Sequence, residues 1–178
     1  MAGGLSRGYV QVYTGSGKGK TTMALGLALR AAGHGLKTYI GQFLKTASSG
    51  EHKAAARFPK LLAIESYGSG TFLHPDEPLA PSEIERAREG LVRAKAAMLS
   101  GYYDIVVLDE VNVAMDFGLL RVDEVLDFIR ARPANVELVL TGSGAPPEII
   151  DAADLVSEVK AIKHYFEAGV KARKGIEE

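Results

Sequence analysis

No cysteine and no tryptophan occur among the 178 residues, and aromatic side chains make up only 7% of them. Without cysteine there are no disulfides, no thiolate metal sites and no thiol nucleophile. Net charge is almost absent too: 21 Lys and Arg face 22 Asp and Glu, for a formal −1. That balance argues against a general nucleic-acid or membrane-surface binder. No apolar run approaches the roughly 18 residues of a membrane span. The start, Met-Ala-Gly-Gly-Leu-Ser-Arg-Gly, lacks the apolar core of a signal peptide. The histidines, His34, His52, His74 and His164, show no ligand spacing, and no Ser-His-Asp order stands out. The expectation is a soluble, cytoplasmic protein without nucleic-acid or membrane partners.

Hydrophobic residues at 47% and charged residues at 24% are ordinary globular values, and the length suits one domain, 1–178. Short β-rich runs alternate with helical ones. Strands are expected at Tyr9–Tyr13, Lys37–Phe43, Leu61–Tyr67, Ile105–Leu108, Glu137–Thr141 and Leu155–Val159. Helices are expected from Thr21 to about Ala32, then at Glu51–Phe58, Ser82–Leu99, Val122–Ala131 and Pro147–Ala152. Ser82 with Glu85 reads as a capping box, and Ile84, Ala87, Leu91, Ala94 and Met98 follow on one helical face. This order predicts an α/β fold, a mostly parallel sheet with helices on both faces. Residues 1–8 read as a short flexible N-terminus. The charged tail 160–178 is either a solvated end or a segment packing near the active site. Gly68–Pro81, rich in Gly and Pro, follows a strand and so lies where open α/β sheets bind ligands.

Thr14-Gly15-Ser16-Gly17-Lys18-Gly19-Lys20-Thr21-Thr22 sits between the first strand and the first helix. That is the context of a phosphate-binding P-loop. Glycines let backbone N–H groups turn inward around phosphate oxygens, and the helix N-terminus adds its dipole. Lys20 is placed to reach the phosphates and the Thr21 hydroxyl to hold Mg²⁺, with Mn²⁺ as the alternative ion. An ordinary turn has no reason to concentrate Lys18 and Lys20 at a helix N-terminus, where the dipole disfavours cations. Thr14 stands where the usual pattern has glycine. The apolar strand before Asp109-Glu110 matches the second carboxylate element of P-loop proteins, which holds the metal opposite the phosphates. Either carboxylate suits direct contact. Leu138–Pro147 is a third strand-to-loop passage, equally readable as a phosphate-side loop and as a proline-started turn.

Taken together, these residues resemble the P-loop ATP:corrinoid adenosyltransferases, which act on cob(I)yrinic acid a,c-diamide or cob(I)alamin. The likeness spans almost the whole chain: Thr14–Thr22, Gly-Gln-Phe-Leu-Lys at 41–45, Val-Val-Leu-Asp-Glu-Val-Asn at 106–112 and Gly-Leu-Leu at 118–120. It continues through Arg-Pro at 132–133, Leu-Thr-Gly-x-Gly-Ala-Pro at 140–146 and the ending Lys163–Glu177. The family's loop also begins with threonine, so Thr14 supports the assignment. The resemblance implies a P-loop NTPase-like (RecA-like) domain. Its activity would be transfer of the 5′-deoxyadenosyl group of ATP to the cobalt(I) of a corrinoid, with release of triphosphate. It implies Mg²⁺, a reversed ATP, a homodimer and a flavoprotein electron donor. Gly15–Thr22 would bind the triphosphate, with Lys18, Lys20 and Glu110 catalytic and Thr21, Asp109 and Glu110 at the metal. Gly70, Thr71, Phe72, Leu73 and His74 would line the corrinoid side. Ser16, Ser143 and the absence of tryptophan depart from residues common in the family. A P-loop ATPase or kinase acting on another small substrate is the alternative, and a non-catalytic carrier is a third.

Overall fold

The computed structural model describes residues 4–70 and 78–177. The elements run β1 (Val10–Thr14), α1 (Lys20–Gly33), β2 (Thr38–Phe43), α2 (Gly50–Ala55), β3 (Leu62–Tyr67) and α3 (Pro81–Leu99). There follow β4 (Ile105–Asp109), α4 (Val111–Asp116), α5 (Val122–Arg130), β5 (Glu137–Thr141), α6 (Pro147–Asp151) and β6 (Leu155–Glu158). The strands form one six-stranded sheet in the order β3-β2-β4-β5-β1-β6, and every pairing is parallel. The α/β fold expected from the alternation is the one that forms, and each strand lies within a residue of its expected span.

Side chains alternate between the two faces of each strand, and this sorts the core. On one face Ile40, Ile105, Val107 and Val139 pack against Ala24, Ala28 and Ala31 of α1. On the other, Val12, Val106, Leu108, Leu138 and Leu140 meet Ala87, Ala94 and Met98 of α3, Val111 and Ala114 of α4, and Val125 and Phe128 of α5. Burial from both sides explains why the central strand β4 is fully buried along its length. The helical face expected on α3 is present: Ala87, Ala94 and Met98 are buried, and Ile84 and Leu91 pack against them.

Three local expectations change. The α3 start is not a capping box at Ser82. Ala80 takes the N-cap position without a side-chain cap bond and Pro81 opens the helix, because the fixed φ of proline suits the first helical position. Glu51–Phe58 is helical only to Ala55. It closes with tight turns from the Arg57 amide to Ala54 O and the Phe58 amide to Ala55 O. Pro59 disfavours helical backbone at the residue before it. Helix α4 has no counterpart in the sequence pattern: six residues directly after a strand leave too short a run for periodicity to register. Among the described residues no helix is long and apolar enough to cross a membrane.

Phe128, only 1% exposed, is among the largest fully buried side chains. Phe128→Ala is expected to lower the stability by about 3–5 kcal/mol, seen as a lower urea midpoint with an unchanged slope.

Candidate active site

Three neighbouring strands switch from apolar to polar at the same level. Gln42 of β2 pairs in register with Asp109 of β4, and the β4–β5 register ends on Leu108 and Leu140, the residues directly before Asp109 and Thr141. By alternation Gln42, Asp109 and Thr141 fall on the face of Ile40, Val107 and Val139, which is the face α1 covers. The three polar side chains therefore gather at the carboxyl ends of the strands, under the N-terminus of α1, and none is more than 1% exposed.

Asp109 is the centre of this group. Its Oδ1 accepts from Thr21 Oγ1 at 2.9 Å and Thr141 Oγ1 at 2.7 Å. Its Oδ2 accepts from Gln42 Nε2 at 3.0 Å and Lys45 Nζ at 2.8 Å. Burial pushes the carboxyl up, but the Lys45 ammonium and the hydrogen bonds from Lys45, Thr141 and Thr21 outweigh it and hold Asp109 below its ordinary range. Gln42 Nε2 also donates to Glu51 Oε1 at 3.1 Å, which ties α2 to the same centre. Thr141 Oγ1 accepts the Glu110 amide at 3.0 Å, so one hydroxyl spaces the two carboxylate-bearing residues.

Glu110 differs from its neighbour. It takes a left-handed φ of 63°, a conformation that costs free energy for a non-glycine residue. Burial and the adjacent Asp109 charge raise its carboxyl above the ordinary range, against the pull of Lys45 and Lys20. Its strained turn sets it on the cavity wall beside Lys20 and Thr21.

The glycine loop joins β1 to α1 as expected. Gly15 at φ 97° and Gly19 at φ 124° use conformations open to glycine. A Cβ on Gly15 would lie 2.4 Å from Val159 O, and the Gly17 amide donates to that same oxygen at 2.7 Å. The loop thus rests on the chain leaving β6. Lys20 folds back, donating to Gly15 O at 2.7 Å and Gly17 O at 2.9 Å. Thr14 braces the loop from the side, since its Oγ1 accepts the Ala145 amide at 3.3 Å, while the Gly142 amide bonds Tyr13 O at 3.2 Å. The passage 138–147 therefore flanks the loop and supplies Thr141, whereas Ser143 is exposed.

The tail also comes to this place. Lys18 Nζ donates to Ile176 O at 3.4 Å and lies 3.6 Å from Glu177 Oε1. Glu177 is held by Arg173 and Tyr165, whose hydrogen bonds bring its carboxyl down to about 2. Loop, α1, α2 and tail enclose a cavity of about 770 Å³. Its polar end is Ser16–Thr22, Lys45, Glu51 and Glu110. Its apolar flank includes Leu25, Leu29, Phe58 and Leu62, and its rim His164, Gly175, Ile176 and Glu177.

The structure thus gathers Ser16 to Thr22 and Glu110 on one cavity, with Asp109 behind Thr21 and Thr14 against the Ala145 amide. Gly70 lies against Thr46, whose Cγ2 would be 2.8 Å from a Cβ there. Thr71, Phe72, Leu73 and His74 lie outside the described residues. Lys45, Gln42, Thr141 and Glu51 carry contacts that sequence reading did not assign. For Gln42 and Thr141 the available signal was a polar residue at or next to the end of an apolar strand, as at Asp109; Lys45 and Glu51 lie outside the strands and carried none.

The oxygen donors suit a divalent ion. Both Asp109 oxygens are already committed to four donors, which fits contact through water, whereas the Thr21 hydroxyl and Glu110 carboxylate share the cavity. No group of three or more His, Asp or Glu side chains able to hold a metal occurs among the described residues. Phosphate oxygens would have to complete the ion's six or so ligands.

Comparison with known proteins matches residues 6–177 to the family described as ATP:corrinoid adenosyltransferase BtuR/CobO/CobP. A corrinoid adenosyltransferase of Pseudomonas aeruginosa is 41% identical over 96% of this chain and 84% of its own. The corrinoid adenosyltransferase of Escherichia coli K12 is 37% identical over 96% of this chain and 86% of its own. The corrinoid adenosyltransferase CobA of Salmonella typhimurium is 35% identical over the same shares, 96% and 86%. Among solved structures, a KaiC-like protein of Pyrococcus horikoshii superposes with a TM-score of 0.58. It is 17% identical, over 89% of this chain and 75% of its own, a likeness of fold alone.

A carboxyl whose pKa is raised by folding weakens the fold above its unfolded pKa, with the penalty complete above the folded value. Glu110→Gln is therefore expected to melt higher than the wild type near pH 8, with the gap closing toward about pH 4, near the ordinary carboxylate value. Calorimetry at both pH values checks this.

Proposed function

The chain belongs to the ATP:corrinoid adenosyltransferase family, and from that premise we propose that it transfers the 5′-deoxyadenosyl group of ATP to the cobalt(I) of a corrinoid and releases triphosphate. The single observation that carries this reading is the cavity in which Lys18, Lys20 and the glycine loop face Thr21 and Glu110. In the reaction the cobalt(I) electron pair attacks C5′ of ATP. The Co–C5′ bond forms, the C5′–O bond breaks, and that bond's pair leaves on the triphosphate oxygen. Cobalt(I) is itself the nucleophile, so what remains for the protein is alignment of two substrates and stabilisation of a departing polyanion.

The residues divide this work. Lys20 exchanges the Gly15 and Gly17 carbonyls for phosphate oxygens, and Lys18 leaves Glu177 and Ile176 O for the same partner. The loop amides from Gly15 to Thr22 and the α1 N-terminus supply preorganised donors. Thr21 and Glu110 hold Mg²⁺, or Mn²⁺, with Asp109 orienting the Thr21 hydroxyl. When bound, the ion neutralises phosphate charge as the leaving group develops it. Gly70 to His74 belong to the corrinoid side, of which Gly70 lies against Thr46. A homodimer, a flavoprotein electron donor and a cytoplasmic place in adenosylcobalamin biosynthesis or salvage complete the proposal.

Protein given Mg-ATP and a chemically reduced cobalt(I) corrinoid is expected to yield the adenosylated corrinoid and triphosphate in equal amounts. ADP or free phosphate as the main product would overturn the reading in favour of an ATPase or kinase, with Glu110 as its base. Lys20→Ala should lose about 10²-fold or more in turnover, the scale of removing one oxyanion donor, without a matching loss of stability.

A further inference from the structure

Lys45 has a position that none of the roles above explains. Its ammonium lies 3.0 Å from Thr21 Oγ1 and 2.8 Å from Asp109 Oδ2. Thr21 spends its hydroxyl proton on Asp109 Oδ1 at 2.9 Å, so it meets Lys45 with its lone pairs. Those lone pairs are what a hydroxyl offers to a metal ion. A second cation on the same oxygen would stand within a few ångströms of the ammonium, where like charges repel strongly in a partly buried setting.

The backbone fixes this placement. Leu44, just before Lys45, is the other described non-glycine residue at positive φ, 63° like Glu110. The chain leaving β3 wedges it from behind. A Cβ on Gly68 would lie 2.4 Å from the Leu44 carbonyl carbon and 2.6 Å from the Lys45 nitrogen. The two strained residues thus end adjacent strands, β2 and β4, and their side chains or neighbours converge on Asp109. Lys45 is a partly exposed cation, 31% accessible, whereas its partner Asp109 is 1% accessible. An ammonium with access to the cavity can leave this carboxylate only if another positive charge arrives or a stronger anion draws it away.

We propose that Lys45 is a resident cation that competes with the divalent ion for the Thr21–Asp109 slot. A polyphosphate chain draws the ammonium onto its own oxygens, and the divalent ion then enters beside Thr21. Ion and triphosphate consequently bind as a pair, and neither binds well first. This rests on the reading of Thr21 and Glu110 as divalent-ion ligands, and the experiment separates the two ideas.

Mn²⁺ is titrated into the full-length protein with and without inorganic tripolyphosphate. Water-proton relaxation is the readout, because it distinguishes protein-bound Mn²⁺ from its small chelate. Wild type is expected to bind Mn²⁺ weakly alone and far better with tripolyphosphate. Lys45→Met should bind Mn²⁺ alone at least about tenfold more tightly than wild type, within the usual range of coupling between two ligands. Its gain from tripolyphosphate should shrink correspondingly, while Lys45→Arg, which keeps the charge, should behave as wild type. If Lys45→Met lacks native circular dichroism, Lys45→Gln carries the same comparison, since it keeps a donor to Asp109 without the charge. Equal or weaker Mn²⁺ binding by the neutral variants, with tripolyphosphate-dependent binding retained, overturns the competition. No Mn²⁺ binding by any of the proteins under either condition overturns the ion reading itself.

Discussion

A buried carboxylate with four hydrogen-bond donors is the constraint on which the rest of this site depends. Removing an unpaired carboxylate from water is costly, and the cost is met only when donors and an opposite charge surround it. Asp109 obtains them from four segments: Thr21 on α1, Gln42 on β2, Lys45 after β2 and Thr141 on β5. Satisfying one charge therefore fixes the α1 N-terminus, the β2–α2 turn and the end of β5 relative to each other. The first two of these line the cavity, and the third lies behind it.

The same constraint explains why the backbone is strained where it is. Leu44 and Glu110 take left-handed conformations at the exits of adjacent strands. Each turns the chain so that one side chain reaches inward and the next faces the cavity. Such strain persists only where the surroundings over-determine it. Here Gly68 packs on the Leu44 side and the Thr141 hydroxyl takes the Glu110 amide. Asp109 and Glu110, adjacent in sequence, are driven apart in character: hydrogen bonds and a cation depress the first, while burial beside a negative neighbour raises the second.

Much of this is legible in the residues alone. The strand spans and the glycine loop follow from patterns with a local physical cause. Periodicity reports which face is buried, and glycine reports where backbone must turn. The capping box at Ser82 fails because proline one residue earlier offers a better helix start. Helix α4 and the short end of α2 escape because a few residues give no period to read. Lys45 escapes for a different reason. Nothing local to Gly-Gln-Phe-Leu-Lys says that the lysine will meet a carboxylate 64 residues away.

By itself the sequence determined the class of the fold, the glycine-rich loop between β1 and α1 and the strand ends at which polar chemistry begins. These depend on hydrophobic spacing and on backbone freedom within a few residues. Only the tertiary structure decided which polar ends meet. The strand order β3-β2-β4-β5-β1-β6 sets Gln42, Asp109 and Thr141 side by side, and the chain beyond β6 returns to bring Ile176 and Glu177 against Lys18. Strand order and chain return are settled by how separate faces bury one another, a property of the packed whole that no short window of residues contains.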